Sequence, residues 1–173
     1  MTTSHPESLL IITGSMGSGK TAALAEASDI LTSRNIVHAA IDLDAFGLAH
    51  LPSNAGAEAM YGNLRCVYKN YATLGVQRFL LARAIEDAAE LKQYRQIIPA
   101  TDVSVCRLIA SLECMQRRTE MRERGLFTRK YVARVAPLNS ILDRVSLEDF
   151  TVVSENREVT DVALDVLVKA GWV

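Results

Sequence analysis

Five short runs of almost unbroken apolar residues punctuate the chain, with longer stretches of helical spacing between them. Leu9–Thr13 is the first run. Ile36–Leu43, Gln77–Ala84, Val103–Ala110 and Phe150–Val153 follow. Continuous apolar runs, as opposed to strict alternation, are the mark of strands buried on both faces of a parallel sheet. The intervening segments repeat apolar residues every three or four positions, as in Ala23, Leu24, Ala27, Ile30 and Leu31. That spacing predicts helices over Thr21–Arg34, Ala57–Ala72, Ile85–Ile97, Leu112–Glu123, Lys130–Val145 (across Pro137) and Asp161–Ala170. Asn35, Gly75, Pro99 and Gly125 supply stops, and Phe46–Gly56 reads as loop. Strands alternating with helices imply right-handed crossovers and helices on both faces of one parallel sheet. Ligands in such sheets bind beyond the carboxyl ends of the strands, so the chemistry is sought there.

Residues 14–21 occupy that edge after the first strand. Gly14-Ser15-Met16-Gly17-Ser18-Gly19-Lys20-Thr21 fits G-x-x-x-x-G-K-[ST] in full, between a strand and a helix. Glycines allow backbone N–H groups to turn inward around an anion, and the helix N-terminus adds partial positive charge. Lys20 reaches the β- and γ-phosphates of a nucleoside triphosphate, and the Thr21 hydroxyl ligates Mg²⁺. Asp42 and Asp44 close the second apolar run at i and i+2, on one side of the predicted strand. One carboxylate suits metal orientation through water and the other proton acceptance from an attacking hydroxyl; both also fit a solvated turn or a helix cap. Asp44-Ala45-Phe46-Gly47 matches D-x-x-G, but no Asn-Lys-x-Asp accompanies it, so a GTPase is disfavoured.

With 173 residues the chain is read as one domain, 1–173. A net charge of −1 gives no basic excess to drive nucleic-acid or membrane binding. Cys66, Cys106 and Cys114 form no Cys-x-x-Cys pair, which argues against a disulfide framework or zinc; Cys106 and Cys114 are expected in the core. The opening MTTSHPES has no cationic start with an apolar stretch behind it, so a signal peptide is not expected, and no apolar run nears the roughly 20 residues of a membrane helix. The expected setting is soluble, reducing and cytoplasmic. Lone His38 and His50 lack partners at metal-ligand spacing, and Tyr61, Tyr68 and Tyr71 read as a packing stripe.

In GSMGSGKT, HAAIDLDAF, GNLRCVYKNYATLGVQRFLLA, VCRLIASLECMQRRTEMRERG and EDFTVVSENREVTDVALDVLVKAGW the chain resembles the small-molecule and nucleotide kinase branch of the P-loop proteins. Adenylylsulfate, gluconate and shikimate kinases and chloramphenicol phosphotransferase belong to that branch. The resemblance is closer to actinobacterial P-loop proteins labelled AAA-family ATPase or adenylate-kinase-like. It implies an α/β/α fold with a five-stranded parallel sheet in order 2-3-1-4-5, ATP with Mg²⁺ as donor, and a small-molecule acceptor. Asp42 and Asp44 would face that acceptor, by analogy with an Asp-Gly-Asp whose glycine is here Leu43. It further implies a lid near residues 114–130 whose arginines, Arg118 first and Arg122 second, close over the phosphates. Pairing of these arginines with Glu113, Glu120 or Glu123 on a solvated face is the plainer alternative. In this branch the interval after the second strand lines the acceptor pocket, which makes Asn63 and Arg65 candidates for a polar or anionic acceptor; ordinary exposed polar residues read the same way. In relatives the loop after the fifth strand passes the adenine, which makes Arg157 a candidate to stack on the base; an arginine that simply extends into water reads the same way. The expectation is an ATP-dependent phosphotransferase acting on a small hydroxyl- or phosphate-bearing molecule, with a nucleotide-binding regulatory module of little turnover as the alternative.

Overall fold

The computed structural model describes residues 8–47, 49–51 and 55–173. Its centre is β1 (Ser8–Thr13), six residues buried end to end. β1 pairs in parallel with β3 (Arg78–Ala82) on one side and β4 (Asp102–Ile109) on the other; Ile12 lies level with Ala82 and Cys106. β2 (Ala39–Asp42) and β5 (Phe150–Val153) form the edges, giving the order β2-β3-β1-β4-β5. The helices are α1 (Lys20–Ser33), α2 (Ala55–Thr73), α3 (Ala88–Ile97), α4 (Leu112–Arg122), α5 (Thr128–Val145) and α6 (Val159–Lys169).

Successive residues of β1 serve opposite faces, as strand geometry requires. Leu9 and Ile11 join Leu64, Phe79, Tyr94 and Val105 in one core. Leu10 and Ile12 join Leu31, Cys106, Leu167 and Trp172 in the other. Tyr61 packs on Tyr94 and Tyr68 on Phe79, with ring centroids 5.8 and 5.3 Å apart, so two members of the tyrosine stripe serve packing. Cys106 and Cys114 are buried as expected.

Several boundaries differ from those the sequence predicts, each for a local reason. The second apolar run enters the sheet only at Ala39, because Asn35 turns the chain with φ of 57° and Val37 faces solvent. His38 bonds the Ile36 carbonyl and the Ser28 hydroxyl, both at 2.8 Å, and so acts in that turn. The run also leaves the sheet early. Asp42 is the last strand residue, and Leu43–Gly47 forms a 3₁₀ turn that carries Asp44, so the two carboxylates are not strand neighbours. The third helix begins at Ala88, not Ile85, because the Asp87 carboxylate caps it by accepting from the Glu90 N–H at 2.8 Å. The Ile85 N–H instead bonds the Thr13 hydroxyl at 3.0 Å, which holds residues 83–87 as a loop over the end of β1. Part of the expected loop Phe46–Gly56 lies outside the described residues, and α2 starts within it at Ala55. Among the described residues, no helix is long and apolar enough to cross a membrane and no group of side chains forms a metal cluster.

Candidate nucleotide and acceptor site

The turn between β1 and α1 bends through three glycines with positive φ: Gly14 at 149°, Gly17 at 76° and Gly19 at 97°. The Ser18 N–H bonds the Ser15 carbonyl at 3.2 Å and closes the loop on itself. The Ser15 hydroxyl donates to the Val135 carbonyl of α5 at 2.9 Å and anchors the loop from outside. At Gly17 the loop lies directly on α4, where a Cβ would stand 2.1 Å from the Met115 carbonyl oxygen. At Gly19 a Cβ would meet nothing within 4 Å. Gly17→Ala therefore combines a backbone clash with a strained φ and is expected to destabilise the fold by about 3–5 kcal/mol. Gly19→Ala carries only the strain, about 1–2 kcal/mol. Urea unfolding of the two variants side by side checks the order.

Two observations show that this loop fits an anion. α1 has no side-chain cap, so its first-turn N–H groups have no side-chain acceptor. The Ser18 hydroxyl is fully buried and has no hydrogen-bond partner. Lys20 lies back across the loop, its Nζ donating to the Ser15 carbonyl at 3.1 Å. Burial pulls its pKa down to about 8 from 10.5; Asp44 and Asp42 resist that pull and Arg122 adds to it. At pH 7 the ammonium persists, held in a low-dielectric cradle.

The Thr21 hydroxyl donates to Asp42 Oδ2 at 2.7 Å, and Asp42 Oδ1 accepts from the Asp44 N–H at 3.0 Å. Thr21 and Asp42 thus form a paired hydroxyl and carboxylate, a donor set suited to a hard cation such as Mg²⁺. Asp44 turns the other way, into an ion pair with Arg83 at 2.7 Å. Arg83 also pairs with Glu90 at 3.1 Å, and Glu90 accepts from the Tyr94 hydroxyl at 2.6 Å and the Glu86 N–H at 3.0 Å. Burial and the Glu90 charge hold the Tyr94 hydroxyl far above its usual pKa.

A cavity of about 430 Å³ runs over the loop, lined by Met16, Lys20, Thr21, Asp44, Arg118 and Arg122 among others. Arg118 is fixed there: it donates to the Ser154 carbonyl at 2.9 Å and the Ser154 hydroxyl at 3.1 Å. Arg122 is more exposed and pairs with Glu123 at 2.9 Å. Of Glu113, Glu120 and Glu123, only Glu123 pairs with these arginines among the described residues. A second cavity, about 200 Å³, shares Gly19, Ala22 and Arg118 with the first and extends to Arg157, Val159 and Val162. Arg157 is tied to the Val153 and Asp161 carbonyls and to Asp165. Asn63 and Arg65 are exposed on α2 and line neither cavity, and His50 is exposed.

Arg83, Glu90 and Ser154 are not singled out by the sequence pattern. Arg83 carries one usable signal. It is the first polar residue after the apolar run of β3, which puts it at the carboxyl edge of the sheet.

No protein-family model matches the chain, and no curated protein matches it. Solved structures do. An APS kinase of Mycobacterium tuberculosis, in complex with AMPPNP and APS, is 18% identical with a TM-score of 0.65, over 95% of this chain and 98% of that one. A Deinococcus radiodurans tunicamycin resistance protein is 15% identical with a TM-score of 0.65, over 98% of both chains. A shikimate kinase of Acinetobacter baumannii in complex with shikimate is 18% identical with a TM-score of 0.60, over 94% of this chain and 91% of that one. The fold is that of the P-loop kinases, and the neighbours are small-molecule kinases and their relatives.

Proposed function

We propose that the protein is an ATP-dependent phosphotransferase acting on a small hydroxyl-bearing molecule. The observation that carries the reading is the meeting, in one cavity, of a capless glycine loop, the Lys20 ammonium, the Thr21 hydroxyl and the Asp44 carboxylate, with Asp42 bonded to Thr21 behind them. ATP with Mg²⁺ supplies the phosphoryl group. Backbone N–H groups of residues 14–21 and Lys20 hold its anionic tail, with Thr21 and Asp42 on the metal side. In this reading the base would lie over the second cavity; Arg118, which lines both cavities and is held by Ser154, would face the junction of tail and base, and Arg157 the base itself. Arg122 closes from the lid and spreads the charge that builds during transfer. Asp44 orients the acceptor hydroxyl and takes its proton as the new O–P bond forms and ADP departs. Positioning and charge neutralisation supply most of the rate, since the transition state is loose. The reading implies an intracellular, ATP-containing compartment.

A nucleotide-binding module with little turnover is the second reading. It is favoured by the Asp44–Arg83 pair, which satisfies the carboxylate without any acceptor. ADP release measured with and without a panel of small hydroxyl compounds separates the two. At least one compound is expected to raise the rate more than about tenfold over ATP alone. A rate that no acceptor raises assigns the chain to the second reading.

A further inference from the structure

A third cavity, about 290 Å³, opens between α2 and α3. Arg83 lines it, and the same guanidinium holds Asp44, which lines the phosphate-loop cavity. Arg83 therefore stands between the two spaces. One wall is apolar, formed by Ala57, Met60 and Tyr61, and the other carries Glu86, Asp87 and Glu90.

The charge of this cavity is unlike that of a pocket built for an anion. Three carboxylates line it against a single guanidinium. That guanidinium is committed already, to Glu90 at 3.1 Å and Asp44 at 2.7 Å. Turning Arg83 toward an incoming anion would strip the mostly buried Glu90 of its counter-ion, a heavily unfavourable exchange. Glu86 meets Arg134 at 2.5 Å on a well-exposed edge, where pairing is weak and the carboxylate stays available. Asp87 uses one oxygen to cap α3, and its other oxygen makes no described hydrogen bond. The Tyr61 hydroxyl registers the resulting field: burial first, then Glu90, raises its pKa, with Asp87 adding and Arg83 opposing.

We propose that this cavity is the acceptor subsite and that it selects hydroxyl compounds bearing an ammonium group over those bearing a carboxylate or phosphate. The proposal rests on the phosphotransferase reading for its purpose, but its charge selection stands on the cavity alone. The apolar wall takes the carbon skeleton and Glu86 and Asp87 take the ammonium. The hydroxyl then lies toward Arg83 and Asp44, facing the phosphate loop. Asn63 and Arg65, exposed on α2, have no part in it.

Backbone amide NMR of the full chain tests this with three matched probes: ethanolamine, ethylene glycol and glycolate. At roughly 10–100 mM, the range for fragments this small, ethanolamine is expected to shift the amides of Tyr61, Glu86 and Asp87. Glycolate is expected to leave them in place, and ethylene glycol to act more weakly than ethanolamine. Glu86→Gln is expected to weaken the ethanolamine response about three- to tenfold. Glycolate shifting these amides at equal or lower concentration, glycol matching ethanolamine, or no probe shifting them would each overturn the proposal. Adding ATP with Mg²⁺ to the same sample reads residues 14–21 separately. Silence there sinks the phosphotransferase reading and leaves the charge selection of the cavity to be decided by the three probes.

Discussion

Lys20→Met is expected to make the protein more stable while removing the nucleotide binding proposed for it. Burial brings the lysine's pKa down to about 8 in the folded state, against 10.5 in the unfolded one. Between those values the unfolded chain binds the extra proton, so folding stability rises with pH across that window. Below pH 8 the whole burden of a buried ammonium is carried. Methionine keeps the stem's volume and removes the charge, losing in exchange the hydrogen bond to the Ser15 carbonyl. The expected net gain at pH 7 is about 1–3 kcal/mol, or roughly 3–10 °C in the unfolding midpoint. The gain shrinks toward pH 10, where the wild-type lysine is itself mostly neutral in the folded state. Thermal unfolding of both proteins at pH 7 and pH 10 checks magnitude and sign together; a variant less stable at pH 7 contradicts the account. This is the familiar opposition of stability and function at a charged site. In the wild type the same shift is expected to make the proposed nucleotide affinity fall as pH rises above 8, because the phosphates would lose the ammonium.

The second large effect separates the two aspartates. Asp44→Asn is expected to lower phosphoryl transfer about 10²- to 10⁴-fold while ATP affinity changes little. Asp44 is half exposed and its partner Arg83 keeps Glu90, so the variant is expected to fold with a loss of about 1 kcal/mol or less. Asp42→Asn is expected to act on the other side of the reaction. It weakens the Thr21 pair and so lowers magnesium-dependent ATP binding, by roughly tenfold. Binding and turnover measured on both variants, with and without Mg²⁺, give this crossed pattern. Equal effects of the two substitutions would mean that the roles are not divided as proposed.

Much of the fold was legible because its signals are local. Five apolar runs and the helical periodicity between them gave the layers and the parallel sheet, and β5 fell on Phe150–Val153 to the residue. The loop at residues 14–21 could be read because glycine spacing encodes backbone geometry directly, as the three positive φ values show. Strand two was overextended at both ends. Apolar character says a residue avoids water, not that it enters the ladder, and Leu43 is buried in a 3₁₀ turn as fully as it would be in a strand. The paired placement of Asp42 and Asp44 on one strand face fails for that reason: the turn sets Asp42 on Thr21 and Asp44 on Arg83. The roles of Arg83, Glu90 and Ser154 depend on partners 39, 7 and 36 positions away, which no local pattern reports; the sequence marks only the place of Arg83, as the first polar residue after β3. Arg118 shows the same limit from the other side. Spacing puts it on one face with Arg122, but Ser154, 36 positions away, is what holds Arg118, while Arg122 pairs with its chain neighbour Glu123.

Everything proposed for the site depends on a triphosphate seated on residues 14–21. Calorimetric titration of the wild type and Lys20→Met with ATP and Mg²⁺ measures that directly. The account predicts saturable heat from the wild type and none from the folded variant. An absence of heat from the wild type, or the same heat from both proteins, would contradict it.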